Sequence, residues 1–96
     1  MIKVQLYGQQ ESVIIYAMID SGATEDFIDQ GICEKHGIKT TRTKKPREIY
    51  LADEKPSTMG PVTHTAQVPM EIDSHREMAL FQVANLKNHE LILGML

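Results

Sequence analysis

Seven consecutive apolar residues, Val13-Ile14-Ile15-Tyr16-Ala17-Met18-Ile19, stop abruptly at Asp20-Ser21-Gly22. A run this short, bounded by turn residues and rich in β-branched side chains, reads as a strand. Because it is apolar on both faces, the expectation is a strand buried in the middle of the fold. Whatever architecture forms must cover this strand and also tolerate a carboxylate at its end. Residues 2–7 alternate apolar and polar, the mark of a half-buried strand, and Gly8-Gln9-Gln10-Glu11-Ser12 is a short polar turn. The first twenty residues therefore read as an antiparallel hairpin.

The remaining segments are also short. Phe27-Ile28-Asp29 is a brief extended piece, and Asp29 is placed to N-cap a helix over roughly 30–36, with Gly37 as its left-handed stop. Gly31 inside that helix costs about 1 kcal/mol of propensity, so packing of Ile32 and Cys33 must hold it. The basic stretch "KTTRTKKPR", residues 39–47, reads as a solvated loop. Residues 47–51 read as a strand, 52–56 as a turn, and 57–60 with 61–72 as a long, mostly polar strand bent at Gly60-Pro61. Asp73-Ser74-His75 is a hairpin turn, residues 77–84 a strand, and residues 90–94 a last short strand. Many short strands, tight turns and one short helix predict a small all-β closed barrel, with residues 1–96 as one domain.

Ninety-six residues bury only about 60–65% of their unfolded surface, so a domain of this size gains much from a partner. Trp is absent and aromatics are 5%, which leaves an aliphatic core. A net charge of −3 argues against a nucleic-acid-binding face. No apolar segment approaches the ~20 residues needed to span a bilayer. The first residues do not have the charged-then-apolar layout of a signal peptide. The single Cys33 has no intramolecular disulfide partner, and a reducing compartment is expected. His36, His64, His75 and His89 have no metal-ligand spacing with one another or with Cys33, so no metal site is expected.

Chemistry concentrates at Asp20. The preceding strand fixes its backbone, and Gly22, lacking a Cβ, permits a sharp turn and close approach of another backbone. Backbone N–H groups around Gly22 and Ala23 are placed to orient the carboxylate, and the Ser21 hydroxyl to donate sideways. Asp-Ser-Gly is also a favoured turn composition, and alone it carries no more than that. Three features weigh against the plain turn: the apolar strand before it, a second apolar strand ending in glycine at Leu91-Ile92-Leu93-Gly94, and a polar-tipped candidate hairpin between them.

Taken in order, "AMIDSGATEDFID", a short helix ending in "KHG", the hairpin "IYLADEKPSTMG" and the terminal "LILGM" resemble a retropepsin over nearly the whole chain. The likeness is strongest to the aspartic proteases of gypsy-type LTR retrotransposons and related retrovirus-like elements. It implies an aspartic endopeptidase that processes a retroelement polyprotein, in the cytoplasm or within virus-like particles. Asp20 would be the catalytic aspartate. Ser21 would grip the matching loop of a partner subunit, with Gly22, Ala23 and Thr24 completing the supporting loop. Gly22 would also border the substrate backbone, and Glu25 and Asp26 would accept hydrogen bonds from it. Residues 51–56 would form a flap tip, with Leu51, Ala52, Asp53 and Glu54 meeting substrate, and Leu93-Gly94 would pack behind the catalytic loop.

Viral relatives usually carry an acidic residue where this chain has Thr24, and a Gly-rich flap tip where it has Asp53-Glu54-Lys55-Pro56. Gypsy-type elements are looser at both places. Hydrolysis by this route needs two carboxylates that share a proton, and the chain has one Asp-Ser-Gly, so a twofold homodimer must supply the second, and no metal or cofactor is required. The sequence stops soon after Gly94, where relatives continue into a short helix. Two other readings remain open: a non-catalytic retropepsin-like dimerisation or peptide-binding module, and one lobe of a larger two-lobed protease.

Overall fold

The computed structural model describes residues 1–23, 25–47 and 61–94. Strands make up 62% of them and close into a six-stranded barrel with one short helix. In chain order the elements are β1 (Ile2–Tyr7), β2 (Ser12–Asp20), β3 (Phe27–Asp29), α1 (Gln30–His36), β4 (Thr41–Arg47), β5 (Val62–Ile72), β6 (His75–Ala84) and β7 (Leu91–Gly94). The sheet runs β1-β2-β7-β3-β6-β5-β4, and a β1–β5 pairing closes the barrel. β5 divides one of its edges: Val62 to Thr65 pairs with β4, while Met70 and Glu71 pair with Leu6 and Gln5 of β1.

The β1–β2 hairpin forms as expected, with Val4 opposite Ile15 and Ile2 opposite Ala17. β2, however, is not buried on both faces. Ile15 and Ala17 point into the barrel, whereas Ile14 and Tyr16, on the opposite face, are 51% and 50% exposed. A small closed barrel has one interior, so a strand flanked edge-to-edge by neighbours still has a face turned outward. The apolar run specified a central strand without specifying two buried faces.

The basic stretch also differs from its expectation as a loop: residues 41–47 form β4, antiparallel to β5. Thr41 lies opposite Thr65 and Arg42 opposite His64, but the next pair is Arg47 with Val62. Four residues of β4, 43–46, therefore stand against one of β5, Thr63, a bulge that contains Pro46. Proline lacks the N–H a regular ladder needs, and edge strands and bulges are where sheets accept it. The Thr43 hydroxyl donates to the Thr63 carbonyl at 3.2 Å and ties the bulge down. Exposed Lys44 and Lys45 are ordinary furniture for a strand edge.

β5 and β6 pair from His64–Val83 to Ile72–His75, so Asp73-Ser74 is a two-residue hairpin loop and β6 begins two residues earlier than expected. Both loop residues have positive φ, 47° and 67°, the signature of a primed turn that matches strand twist. Gly37 stops α1 with φ 65°, and the Ile38 N–H returns to the Cys33 carbonyl at 2.9 Å. The larger core, with Val4, Leu6, Ile15, Ile28, Phe81 and Leu91 among its members, fills the barrel. A smaller cluster of Ala23, Phe27, Val62, Leu86 and Ile92, flanked by Met18 and Ala84, packs on its own. It anchors the two ends of the segment that carries Asp20.

Candidate active site

Asp20 is the last residue of β2, and the chain returns as β3 seven residues later. β7 lies between these two strands. It runs parallel to β2, with Ile19 opposite Leu93 and Asp20 opposite Gly94, and antiparallel to β3, with Phe27 opposite Ile92. The loop carrying Asp20 is therefore strung across the end of a strand threaded between its own two supports.

Within the loop, the Gly22 N–H donates to Asp20 Oδ1 at 2.9 Å, and the Ala23 N–H donates to the Asp20 backbone carbonyl at 3.1 Å. The first bond fixes the carboxylate and the second closes the turn. Ser21 and Gly22 are exposed, while the Ala23 side chain is buried in the smaller cluster. One side of the loop is thus nailed into the core and the other is presented to solvent.

Behind the loop there is no spare volume. A Cβ at Gly94 would fall 2.6 Å from the Ala23 carbonyl oxygen and 2.7 Å from that of Glu25. The terminal glycine of "LILG" is what lets β7 approach the loop backbone this closely.

Residues 16–96 match the family model of the PEG10/RTL1 protease domain. The chain belongs to that family. It is a retropepsin-like domain of gypsy-retrotransposon descent.

In this PEG10/RTL1-type domain, Asp20, Ser21, Gly22 and Ala23 come together as one loop, with Leu93-Gly94 directly behind it. Thr24 and the flap residues Leu51, Ala52, Asp53 and Glu54 lie outside the described residues. Glu25 and Asp26 are half-buried at the loop's exit. Asp26 is held inward: its Oδ1 accepts the Gly94 N–H at 2.9 Å, and its backbone carbonyl accepts the Gln82 N–H at 2.9 Å.

Asp29 departs from its expected capping role. It stands at the N-cap position in extended conformation but makes no side-chain cap bond. Its Oδ1 accepts the Leu86 N–H at 3.0 Å instead, and its own N–H donates to the Glu90 carbonyl at 3.0 Å. The two aspartates at either end of β3 thus hold the two ends of segment 86–94. Sequence reasoning missed both partnerships because the donors are backbone groups about sixty residues away. The available signal was a pair of carboxylates bordering a buried apolar dipeptide, since half-buried carboxylates need donors.

Cys33 is buried on α1, and its thiol is pushed up to about 11, first by burial and then by the Asp29 and Glu34 carboxylates. It stays a protonated packing residue at neutral pH. His36 faces Glu11 at 3.5 Å, His75 faces Glu77 at 3.6 Å, and His64 Nδ1 meets the Thr63 hydroxyl at 2.9 Å. None of these contacts involves the Asp20 loop.

Proposed function

We propose that this domain is an aspartic endopeptidase that works as a twofold homodimer, each chain supplying one Asp20, and that it cleaves extended segments of a retroelement polyprotein in a cytoplasmic setting. The observation that carries the reading is the mounting of Asp20: a carboxylate at the end of a core strand, with Oδ1 fixed by the Gly22 N–H and the loop's outer side exposed. Membership in the PEG10/RTL1 protease-domain family supports it.

Two like carboxylates brought together cannot both ionise, so the pair holds one proton. The ionised member takes a proton from a bound water as that water attacks the scissile carbonyl carbon. The protonated member gives its proton to the carbonyl oxygen. The tetrahedral intermediate collapses when its hydroxyl proton returns to the dyad and the leaving nitrogen is protonated. Gly22 borders the peptide backbone, Ser21 reaches the partner's loop, Glu25 accepts from a peptide N–H, and residues 51–54 cover the substrate.

The test is cleavage of a peptide library across pH, with and without pepstatin, for wild type and Asp20→Asn, alongside sedimentation. Wild-type dimers that cleave, and an Asp20→Asn dimer slowed at least about 10²–10⁴-fold, are expected. Cleavage that survives Asp20→Asn refutes the assignment. A wild-type chain that is monomeric at high micromolar concentration and inactive at every pH makes the domain a peptide-binding module instead.

A further inference from the structure

The half-buried carboxylate of Asp26 is not needed to close the Asp20 turn, yet it is tied into the same end of the barrel. Asp26 stands where the loop re-enters β3, and it joins two other strands: β7 through the Gly94 N–H and β6 through the Gln82 N–H. Gly94 in turn lies opposite Asp20 in the β2–β7 ladder and faces the carbonyls of Ala23 and Glu25, with no room for even a methyl group between them. A displacement of Gly94 toward those carbonyls therefore bears directly on the loop.

From this geometry we infer that Asp26 is a positioning residue: its carboxylate fixes Gly94 behind the catalytic loop, and through Gly94 it sets the placement of Asp20. The inference rests on the endopeptidase reading for its kinetic consequence and on geometry alone for its structural one. What the role requires is an acceptor atom at one place; it does not require charge. Asp29 offers a matched comparison, because it accepts the Leu86 N–H through the same kind of bond, at the far end of the same segment.

Four single variants separate the possibilities. Asp26→Asn keeps an acceptor oxygen in place and loses the charge. Asp26→Glu keeps the charge and moves the acceptor by a methylene. Asp26→Ala removes the acceptor, and Asp29→Ala removes the matched one. Two readouts are taken on the full chain. The first, which needs no catalysis, is the NMR position of the Gly22 amide, which is bonded to Asp20 Oδ1, together with hydrogen exchange at the Gly94 amide.

Wild type and Asp26→Asn are expected to agree in both. Asp26→Glu and Asp26→Ala are expected to shift the Gly22 resonance and to speed Gly94 exchange about 5-fold or more, the equivalent of one lost hydrogen bond. Asp29→Ala should leave both signals in place. The second readout is steady-state cleavage: Asp26→Glu and Asp26→Ala should lower kcat by up to about 10²-fold with KM little changed, and Asp26→Asn should restore it. If Asp26→Ala does not fold, Asp26→Glu carries the comparison.

Unchanged Gly94 exchange and Gly22 position in Asp26→Glu would overturn the proposal. So would an Asp26→Asn variant as impaired as Asp26→Ala, or an effect confined to KM, which would make Asp26 a substrate contact. A chain without peptidase activity defeats the endopeptidase reading alone, because the amide signals still decide whether Asp26 places the loop.

Discussion

Gly94→Ala is the sharpest perturbation of the site that leaves Asp20 untouched. The added methyl would fall 2.6 Å and 2.7 Å from two backbone carbonyl oxygens, where ordinary contact begins near 3.4 Å. Neither oxygen belongs to a flexible side chain, so β7 or the loop must move by most of an ångström. Overpacking of this kind costs about 1–3 kcal/mol. The Asp26–Gly94 hydrogen bond is strained at the same time, for about 0.5–1.5 kcal/mol more. Reduced backbone freedom in the unfolded chain offsets about 0.4–1 kcal/mol. The net expectation is a loss of about 2 kcal/mol at the middle of these ranges, from a domain whose whole stability is on the order of 5–14 kcal/mol at this length. In urea, with a slope of about 1.5 kcal/mol/M, the midpoint should fall by roughly 1.5 M. The assay is far-UV circular dichroism at one fixed protein concentration, so that any association contributes equally. Gly8→Ala is the internal comparison: its Cβ would meet one carbonyl, that of Glu11, at 3.1 Å, which a relaxation of a few tenths of an ångström relieves. A Gly94→Ala midpoint that matches Gly8→Ala, or that lies within about 0.5 kcal/mol of wild type, refutes the claim that β7 and the loop are in hard contact.

Two further outcomes follow from features away from the loop. Because the Cys33 thiol is raised to about 11 and buried, alkylation by iodoacetamide at pH 8 should be at least about 100-fold slower in the native protein than in urea, read by mass spectrometry. The folded state holds this proton more tightly than the unfolded chain does, so its contribution to stability is complete below about pH 9 and fades as pH rises from 9 toward 11; native alkylation within tenfold of the unfolded rate would contradict this. Ser74→Gly should stabilise the β5–β6 hairpin, because Ser74 carries φ 67° in a two-residue turn that favours glycine there; a rise of a few degrees in Tm is expected, and a fall would show that the Ser74 side chain matters more than its backbone.

What was legible in the chain was local. Gly37 after a helical stretch is a signal in which the residue itself has the required backbone preference, and Asp20-Ser21-Gly22 after an apolar run and Asp73-Ser74 between alternating segments are turn compositions. β4 was not legible because nothing local makes "TRTKKPR" a strand: its conformation is imposed by the edge of β5, which offers Thr41 and Arg42 regular partners and lets the Pro46 region bulge. The outer face of β2 was misread for a related reason. Ile14 and Tyr16 look like core residues, but burial depends on which side of a closed sheet a residue faces, and that is decided by the other five strands. The site divides in the same way. The carboxylate and its turn were visible, whereas the grip of Asp26 on Gly94 and of Asp29 on Leu86 joins groups whose proximity exists only after β7 has threaded between β2 and β3.

That threading also orders events in time. During synthesis Asp20 emerges before β7, on a hairpin able to pair at once, while the strand that seats its loop is made about seventy residues later. Until β7 slides between β2 and β3, the loop lacks both its backing at Gly94 and its tether at Asp26. Long-range pairings of this kind form slowly and late. A nascent or partly folded copy therefore has the barrel's first hairpin and a disarmed loop, and the assembly of the site coincides with completion of the fold.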